Sequence, residues 1–355
     1  MTGMSGRRLR CLVLTCLGVA VLAASFGSPI ARAELSGPLY VAMGDSFTAA
    51  PLSSVPVGTW GGDDPFGYNN PANPYTCGRS TLNYPHLIAQ HLGLHTAIDG
   101  VNENFHLPAN PRFRDVSCGG ATTKDMYERQ YGLPFEEPTV TGEGYNEPQL
   151  DALDKSVKLV TLGIGGNDIG FGDLQNKCVE EPLMTGTPCR KYFENGPGGD
   201  ILLGRIAKFT EKLDKLLADI HSASRAPNAT ILVFGYPALL PEHRPSWVPE
   251  QLRDGCYPYI PILPTDAAYL VDIEKALNAS IRQAAQKARD SGVPVRYVDW
   301  YTPSIGHDMC KPPGLAWVNG IVLAPPSYPV HPNALGTMGG ARAGIKVLEQ
   351  IGFAP

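Results

Sequence analysis

Four short segments of this 355-residue chain hold residue types that can do chemistry. The first is Gly44-Asp45-Ser46, directly after the apolar run 39–43. A serine between a buried strand and a helix start stands exposed at the sheet edge. Its own N–H then points outward, and the helix N-terminus favours negative charge developing beside it. The plainer role for such a serine is helix capping. The second segment is Ser117-Cys118-Gly119-Gly120-Ala121, where adjacent glycines let the backbone approach a ligand and make the Gly120 N–H a candidate donor. Alone, that segment is a turn. The third is Gly163-Ile164-Gly165-Gly166-Asn167-Asp168, in which an apolar strand ends in an amide set among glycines. Asn167 can present its NH₂ to an oxyanion, and turn stabilisation is the ordinary alternative. The fourth is His331-Pro332-Asn333, with an imidazole at the head of the last helix. Together they hold a nucleophile, a general base and hydrogen-bond donors, the parts that nucleophilic catalysis requires.

The elements that must position these residues alternate along the chain. Strand patterns fall at 39–43, 157–164, 230–234 and 295–298, and helical patterns at 84–92, 201–222, 266–290 and 333–350. A short helix is expected at 121–129. The run 157–164 is mainly apolar, as strands covered on both faces are. Alternation of this kind predicts one α/β domain, with a parallel sheet covered by helices on both faces. Three Pro- and Gly-rich excursions, 51–80, 172–200 and 240–264, interrupt it. They follow predicted strands, at the edge where open α/β sheets bind ligands.

Residues 1–33 have the form of a targeting segment. Arg7, Arg8 and Arg10 precede an apolar stretch over 12–26, and Ala31-Arg32-Ala33 supplies a signal-peptidase pattern with cleavage after Ala33. The stretch is shorter than the roughly 20 residues of a membrane span. The expectation is an exported protein of one domain, 34–355, without stable membrane insertion. Residues 1–33 carry four arginines and no acid, so the mature chain has 25 bases against 34 acids, a net charge of −9. That disfavours nucleic acid and anionic lipid surfaces. Charged residues are 18% of the chain with no block of one sign, which excludes a mainly disordered protein. Six cysteines remain, Cys77, Cys118, Cys178, Cys189, Cys256 and Cys310. An even number in an exported chain reads as three disulfides, with fifteen pairings possible. No C-x-x-C and no Cys/His pair at ligand spacing supports a metal site.

Gly-Asp-Ser near the mature N-terminus, Gly-x-Asn-Asp in mid-chain and His-Pro-Asn near the C-terminus resemble the SGNH (GDSL-type) hydrolase family. The resemblance runs from Leu39 to about Gly344, and the cysteines and excursions are similar to its secreted actinobacterial esterase/lipase branch. It implies a three-layer αβα sandwich with a central parallel sheet, the flavodoxin-like SGNH fold, working without cofactor or metal. Ser46 would be the nucleophile and His331 the general base. The Ser46 N–H, the Gly120 N–H and Asn167 would form the oxyanion hole. The branch also implies the disulfides Cys77–Cys118, Cys178–Cys189 and Cys256–Cys310, each pinning one excursion. The departure is the third triad member. The family carries Asp three residues before the histidine, and Tyr328 stands there, with no acid between Met309 and His331. The expectation is a Ser46–His331 dyad whose Nδ1–H is accepted by the Tyr328 carbonyl, with Asp308 as the alternative partner.

The remaining candidates have plainer roles. His307 is a second candidate base but lacks the helix-head position. His86, His91 and His95 resemble ordinary helix and loop histidines, and Asp45 and Asp168 are expected to orient backbone. Phe47, Trp60, Phe66, Phe171, Trp300 and Trp317 would build an acyl pocket or pack the loops themselves. The reading is a monomeric secreted serine hydrolase acting on small-molecule or lipid esters. A carbohydrate or cell-envelope deacetylase is the alternative, and a phospholipase sits less easily with the acidic charge. A catalytically silent binding protein on the same fold has only the missing Asp in its favour.

Overall fold

Strand β1 (Tyr40–Gly44) and strand β5 (Leu159–Gly163) are buried at every position, which is why both are mainly apolar, with Thr161 the polar exception. The computed structural model describes residues 38–51, 53, 77–80, 82–94, 112–131, 145–180, 185–242, 256, 259–321 and 327–354. All of these belong to the unit Leu35–Pro355. The targeting segment 1–33, Trp60, Phe66 and His95 lie outside the described residues.

The main sheet adds β2 (Phe113–Asp115), β6 (Thr230–Phe234) and β7 (Val295–Val298), in the order β2-β1-β5-β6-β7 with every pairing parallel. Side chains alternate between two cores, as a pleated strand requires. Val41, Met43, Val160, Leu162, Ile231 and Val233 face one side, where they meet Leu213 and Leu217 of the helix Ile201–Ile220 and Leu277 and Ile281 of the helix Pro264–Asp290. Tyr40, Ala42, Leu159, Leu232, Phe234 and Val298 face the other. There they meet Ile88 of the helix Tyr84–His91 and Leu348 of the helix Ala334–Gln350. The protein is a three-layer αβα sandwich.

The order of the strands decides where a site can form. The chain leaves β1 towards β2 and leaves β5 in the opposite direction, so a crevice opens between the carboxyl ends of β1 and β5. The register pairs Gly44 with Gly163, which sets the two loops that follow them side by side.

Several elements depart from the sequence pattern. Strand β2 went unread because it is three residues long and carries Arg114 and Asp115. The segment 121–129 holds only a 3₁₀ turn, Thr123–Met126, closed by a capping box between Thr122 and Asp125. Strand β3 (Gln130–Tyr131) then pairs with β4 (Tyr145–Asn146) in a small antiparallel ladder. The excursion 172–200 contains helical turns at Phe171–Gln175, Asn176–Glu180 and Arg190–Glu194. Sulfur atoms lie at bonding distance in the pairs Cys77–Cys118, Cys178–Cys189 and Cys256–Cys310.

Candidate active site

Ser46 opens a four-residue helix, Ser46–Ala49, and is only partly covered while its neighbours are buried. Asp45 is the N-cap. Its Oδ1 accepts the Phe47 N–H at 2.9 Å, and its own N–H donates to the Gly163 carbonyl at 2.9 Å. The turn needs glycine at 44. Gly44 has φ of +150°, and a Cβ there would lie 2.3 Å from Thr48 Oγ1 and 2.4 Å from the Gly163 oxygen. Gln149, fully buried, brackets Gly44: its Oε1 accepts the Gly44 N–H at 2.7 Å and its Nε2 donates to the Gly44 carbonyl at 2.9 Å.

The second loop is tied to the first. Cys118 N–H donates to the Gly44 carbonyl at 3.0 Å, Gly119 N–H donates to the Cys77 carbonyl at 2.9 Å, and the disulfide joins the same two segments. Gly120 follows with φ of +76°. Among the described residues, neither the Ser46 N–H nor the Gly120 N–H has an acceptor. The third loop joins them through Asn167, whose Nδ2 donates to the Ala121 carbonyl at 2.9 Å and keeps a second N–H. Asp168 accepts from Thr123 twice, from N–H at 2.9 Å and Oγ1 at 2.5 Å. Asp45 and Asp168 therefore hold backbone rather than face Ser46.

His331 closes the arrangement. Its Nε2 lies 2.7 Å from Ser46 Oγ and its Nδ1 lies 2.8 Å from the Pro329 carbonyl. A carbonyl only accepts, so Nδ1 carries the proton and Nε2 is left to accept from the serine hydroxyl. This corrects the expected acceptor: it is Pro329, not Tyr328. The Tyr328 carbonyl instead accepts the His331 backbone N–H at 3.2 Å and the Ser327 hydroxyl at 3.3 Å. The intervening Val330 adopts a left-handed φ of +62°, which turns the chain back so that the carbonyl two residues before the histidine meets its ring. A β-branched residue there is strained, at a cost of order 1–3 kcal/mol. Bonds from Val330 N–H to the Asn319 carbonyl (2.9 Å) and from Asn319 N–H to the His331 carbonyl (3.0 Å) hold it in place.

The other candidates sit elsewhere. Asp308 accepts from Cys310 N–H at 3.0 Å and lies 3.6 Å from Lys311 Nζ, with no bond to His331. His307 bonds the Leu315 carbonyl at 2.7 Å and stacks on Trp317 at 4.6 Å. His86 bonds Asn83 at 2.8 Å.

Tyr236, just beyond the end of β6, was not singled out from the sequence. Its hydroxyl donates to Asp45 Oδ2 at 2.5 Å and accepts the Gly166 N–H at 2.7 Å, so it links the turn of Ser46 to the loop of Asn167. Its place after Phe234-Gly235 at a strand end was the available signal. Burial pushes the Asp45 carboxyl up to about 7, against the Tyr236 and Phe47 bonds that lower it. Burial also pushes the His331 imidazole down to about 4, against the Pro329 bond that raises it. The imidazole is held in its neutral form at neutral pH.

A cavity of about 100 Å³ adjoins the pair. Phe47 and Val330, neighbours of Ser46 and His331 in the chain, belong to its wall, with Phe171, Leu174, Ile260 and Leu270. Phe47 and Phe171 also contact the His331 ring, with centroids 5.0 and 5.8 Å away. Of the aromatics expected to build an acyl pocket or pack the loops, Phe47 and Phe171 line this cavity. Trp300 is buried in the opposite core, Trp317 packs on His307 and Gly339, and the wall is largely aliphatic. Leu174 and Ile260 come from the excursions 172–200 and 240–264, and Leu270 from the helix Pro264–Asp290.

The model of the GDSL-like lipase/acylhydrolase family matches residues 42–337, a range that holds the segments of Ser46, Gly120, Asn167 and His331. The chain belongs to that family. It is a carboxylic ester hydrolase of the GDSL type. Lipase 2 of Streptomyces coelicolor is 31% identical over 337 residues, covering 93% of each chain. Among solved structures, phospholipase A1 from Streptomyces albidoflavus NA297 superposes with a TM-score of 0.55 at 23% identity, over 88% of this hydrolase and 99% of that chain. The extracellular lipase of Streptomyces rimosus gives 0.50 at 24% identity, over 86% and 98%. Both structural likenesses carry the SGNH fold. No helix among the hydrolase's described residues is long and apolar enough to cross a membrane.

Proposed function

We propose that the hydrolase cleaves fatty-acyl esters through an acyl-Ser46 intermediate, using a Ser46–His331 dyad. The observation that carries this reading is the 2.7 Å contact between His331 Nε2 and Ser46 Oγ, with Nδ1 held by a backbone carbonyl. Ser46 Oγ attacks the ester carbonyl carbon as its proton passes to His331 Nε2. The carbonyl oxygen becomes an oxyanion, received by the Ser46 N–H, the Gly120 N–H and the free N–H of Asn167. The tetrahedral intermediate collapses, His331 gives its proton to the leaving alkoxide, and the alcohol departs. A water then repeats the sequence in reverse roles and frees the acid. The Pro329 carbonyl keeps the imidazole in one tautomer, and its dipole faces the imidazolium that forms.

The apolar cavity supports a fatty chain over an acetyl group, so no observation favours the carbohydrate-deacetylase alternative. The relatives named lipase and phospholipase A1 point the same way. Three disulfides suit an oxidising compartment. We read the mature protein as a secreted monomer beginning after Ala33.

A fluorophosphonate probe tests the nucleophile. Intact mass should rise by one adduct in the wild type and not in Ser46→Ala, and equal labelling of the two would reject the assignment. Rates on p-nitrophenyl esters from acetate to palmitate test the chain preference, and a maximum at acetate would restore the deacetylase.

A further inference from the structure

The cavity beside the dyad holds a polar group that ester hydrolysis does not use. Residues 270, 273, 274 and 277 form one face of the helix Pro264–Asp290, and all four belong to the cavity wall. Three are Leu270, Ile273 and Leu277. The fourth is Glu274. Its two carboxyl oxygens share one donor, the Leu239 N–H, at 3.1 and 3.2 Å. No cation among the described residues forms an ion pair with it. Lys275, the next residue, pairs with Glu242 at 2.9 Å.

Burial holds the Glu274 carboxyl well above the usual carboxylate range, with the nearby Asp308 adding to the shift. A buried carboxyl with a single N–H donor and no cation paired to it favours its neutral form, which has an O–H to donate. No side chain among the described residues takes that proton. A neutral carboxyl donor inside an apolar site is a known way to recognise an oxygen. A plain alkyl chain lying against Glu274 would leave the O–H without an acceptor, which is unfavourable against an apolar wall. A chain with an oxygen at that depth would satisfy it.

We infer that Glu274 makes this cavity selective for acyl chains bearing a carbonyl or hydroxyl oxygen along their length, over unsubstituted alkyl chains. This rests on the acyl-ester reading above. Glu274 is then a specificity-determining residue, remote from the bond that is cleaved. It recognises the chain while Ser46 and His331 act on the ester.

The test is a series of p-nitrophenyl octanoates, unsubstituted or with a keto oxygen at successive carbons from the fifth outward. A keto oxygen only accepts, so it reports on a donor. At one position, the wild type should show a gain in kcat/KM of about ten- to hundredfold over the plain octanoate. Glu274→Gln retains both an acceptor for Leu239 and an N–H donor, and should keep the preference at the same carbon. Glu274→Met should lose it and gain on the plain ester. If Glu274→Met does not fold, the wild type and Glu274→Gln still decide. Hydrolysis of the whole series with no favoured keto position overturns the inference and leaves the ester reading intact. A preference that persists undiminished in Glu274→Met also overturns it. Failure to hydrolyse any member overturns both.

Discussion

An imidazole pushed down to about 4 makes a strong statement about how the enzyme responds to acid. His331 must be neutral to accept the Ser46 proton, so its ionisation should set the acid limb of kcat/KM. A histidine with its ordinary value of 6.5 would be only ~10% neutral at about pH 5.5, whereas one at about 4 would be ~97% neutral. Lowering pH from neutrality to about 5.5 should therefore leave kcat/KM nearly unchanged, where an ordinary histidine would cost about tenfold. The assay is a stopped hydrolysis of a p-nitrophenyl ester at each pH, read after alkalinisation so that the chromophore does not vary. The same shift acts on stability. The unfolded chain protonates this residue near 6.5 and the folded chain only near 4, so its contribution is fully present above 6.5 and is lost as pH falls towards 4. The loss amounts to about 3 kcal/mol. Asp45 works in the opposite sense. Raised from 3.8 to about 7, it favours the folded state most at low pH and loses that contribution as pH rises through 7. The two should largely offset each other between these limits, keeping the protein folded while the acid limb is measured. A midpoint near 6.5 in kcat/KM, with the fold intact, would refute the argument that burial governs His331.

Three substitutions probe the surrounding parts. Asp308→Asn should leave kcat/KM within about threefold of wild type. A drop of about ten-thousandfold, the scale seen when a triad carboxylate is lost, would make Asp308, and not the Pro329 carbonyl, the group that orients His331. Asn167→Ala should lower kcat by about a hundred- to a thousandfold with little change in KM, measured under saturating ester, because its donor acts on charge that develops in the transition state. Tyr236→Phe removes the donor to Asp45 and the acceptor of Gly166. It should cost about 1–3 kcal/mol in urea unfolding, and an unchanged midpoint would show that the hydroxyl ties nothing together.

Much of the layout was legible because its signals are local. Strands β5 and β6 stood out as mainly apolar runs suited to burial on both faces, and the helix Ala334–Gln350 began next to its capping Asn333. Strand β2 was not legible, since three residues with two charges hold their place only by pairing with β1. The Ser46 and His331 motifs could be read from neighbouring residues. The acceptor for His331 Nδ1 could not, because it depends on a left-handed Val330 that no local preference favours and that packing against Asn319 maintains.

The sequence by itself determined which residue types end each central strand, and so which side chains stand at the sheet's carboxyl edge. That follows from strand periodicity and turn chemistry, which operate over a few residues. Only the tertiary structure decided which carbonyl meets the imidazole, that Tyr236 ties Asp45 to Gly166, and that a face of the helix Pro264–Asp290 closes an apolar cavity around Glu274. The Tyr236 tie and the cavity depend on contacts between segments tens to hundreds of residues apart, and the Pro329 carbonyl is brought to the ring by the bonds that hold Val330 to Asn319. Such contacts exist only once the layers have packed, and nothing in the spacing along the chain encodes them.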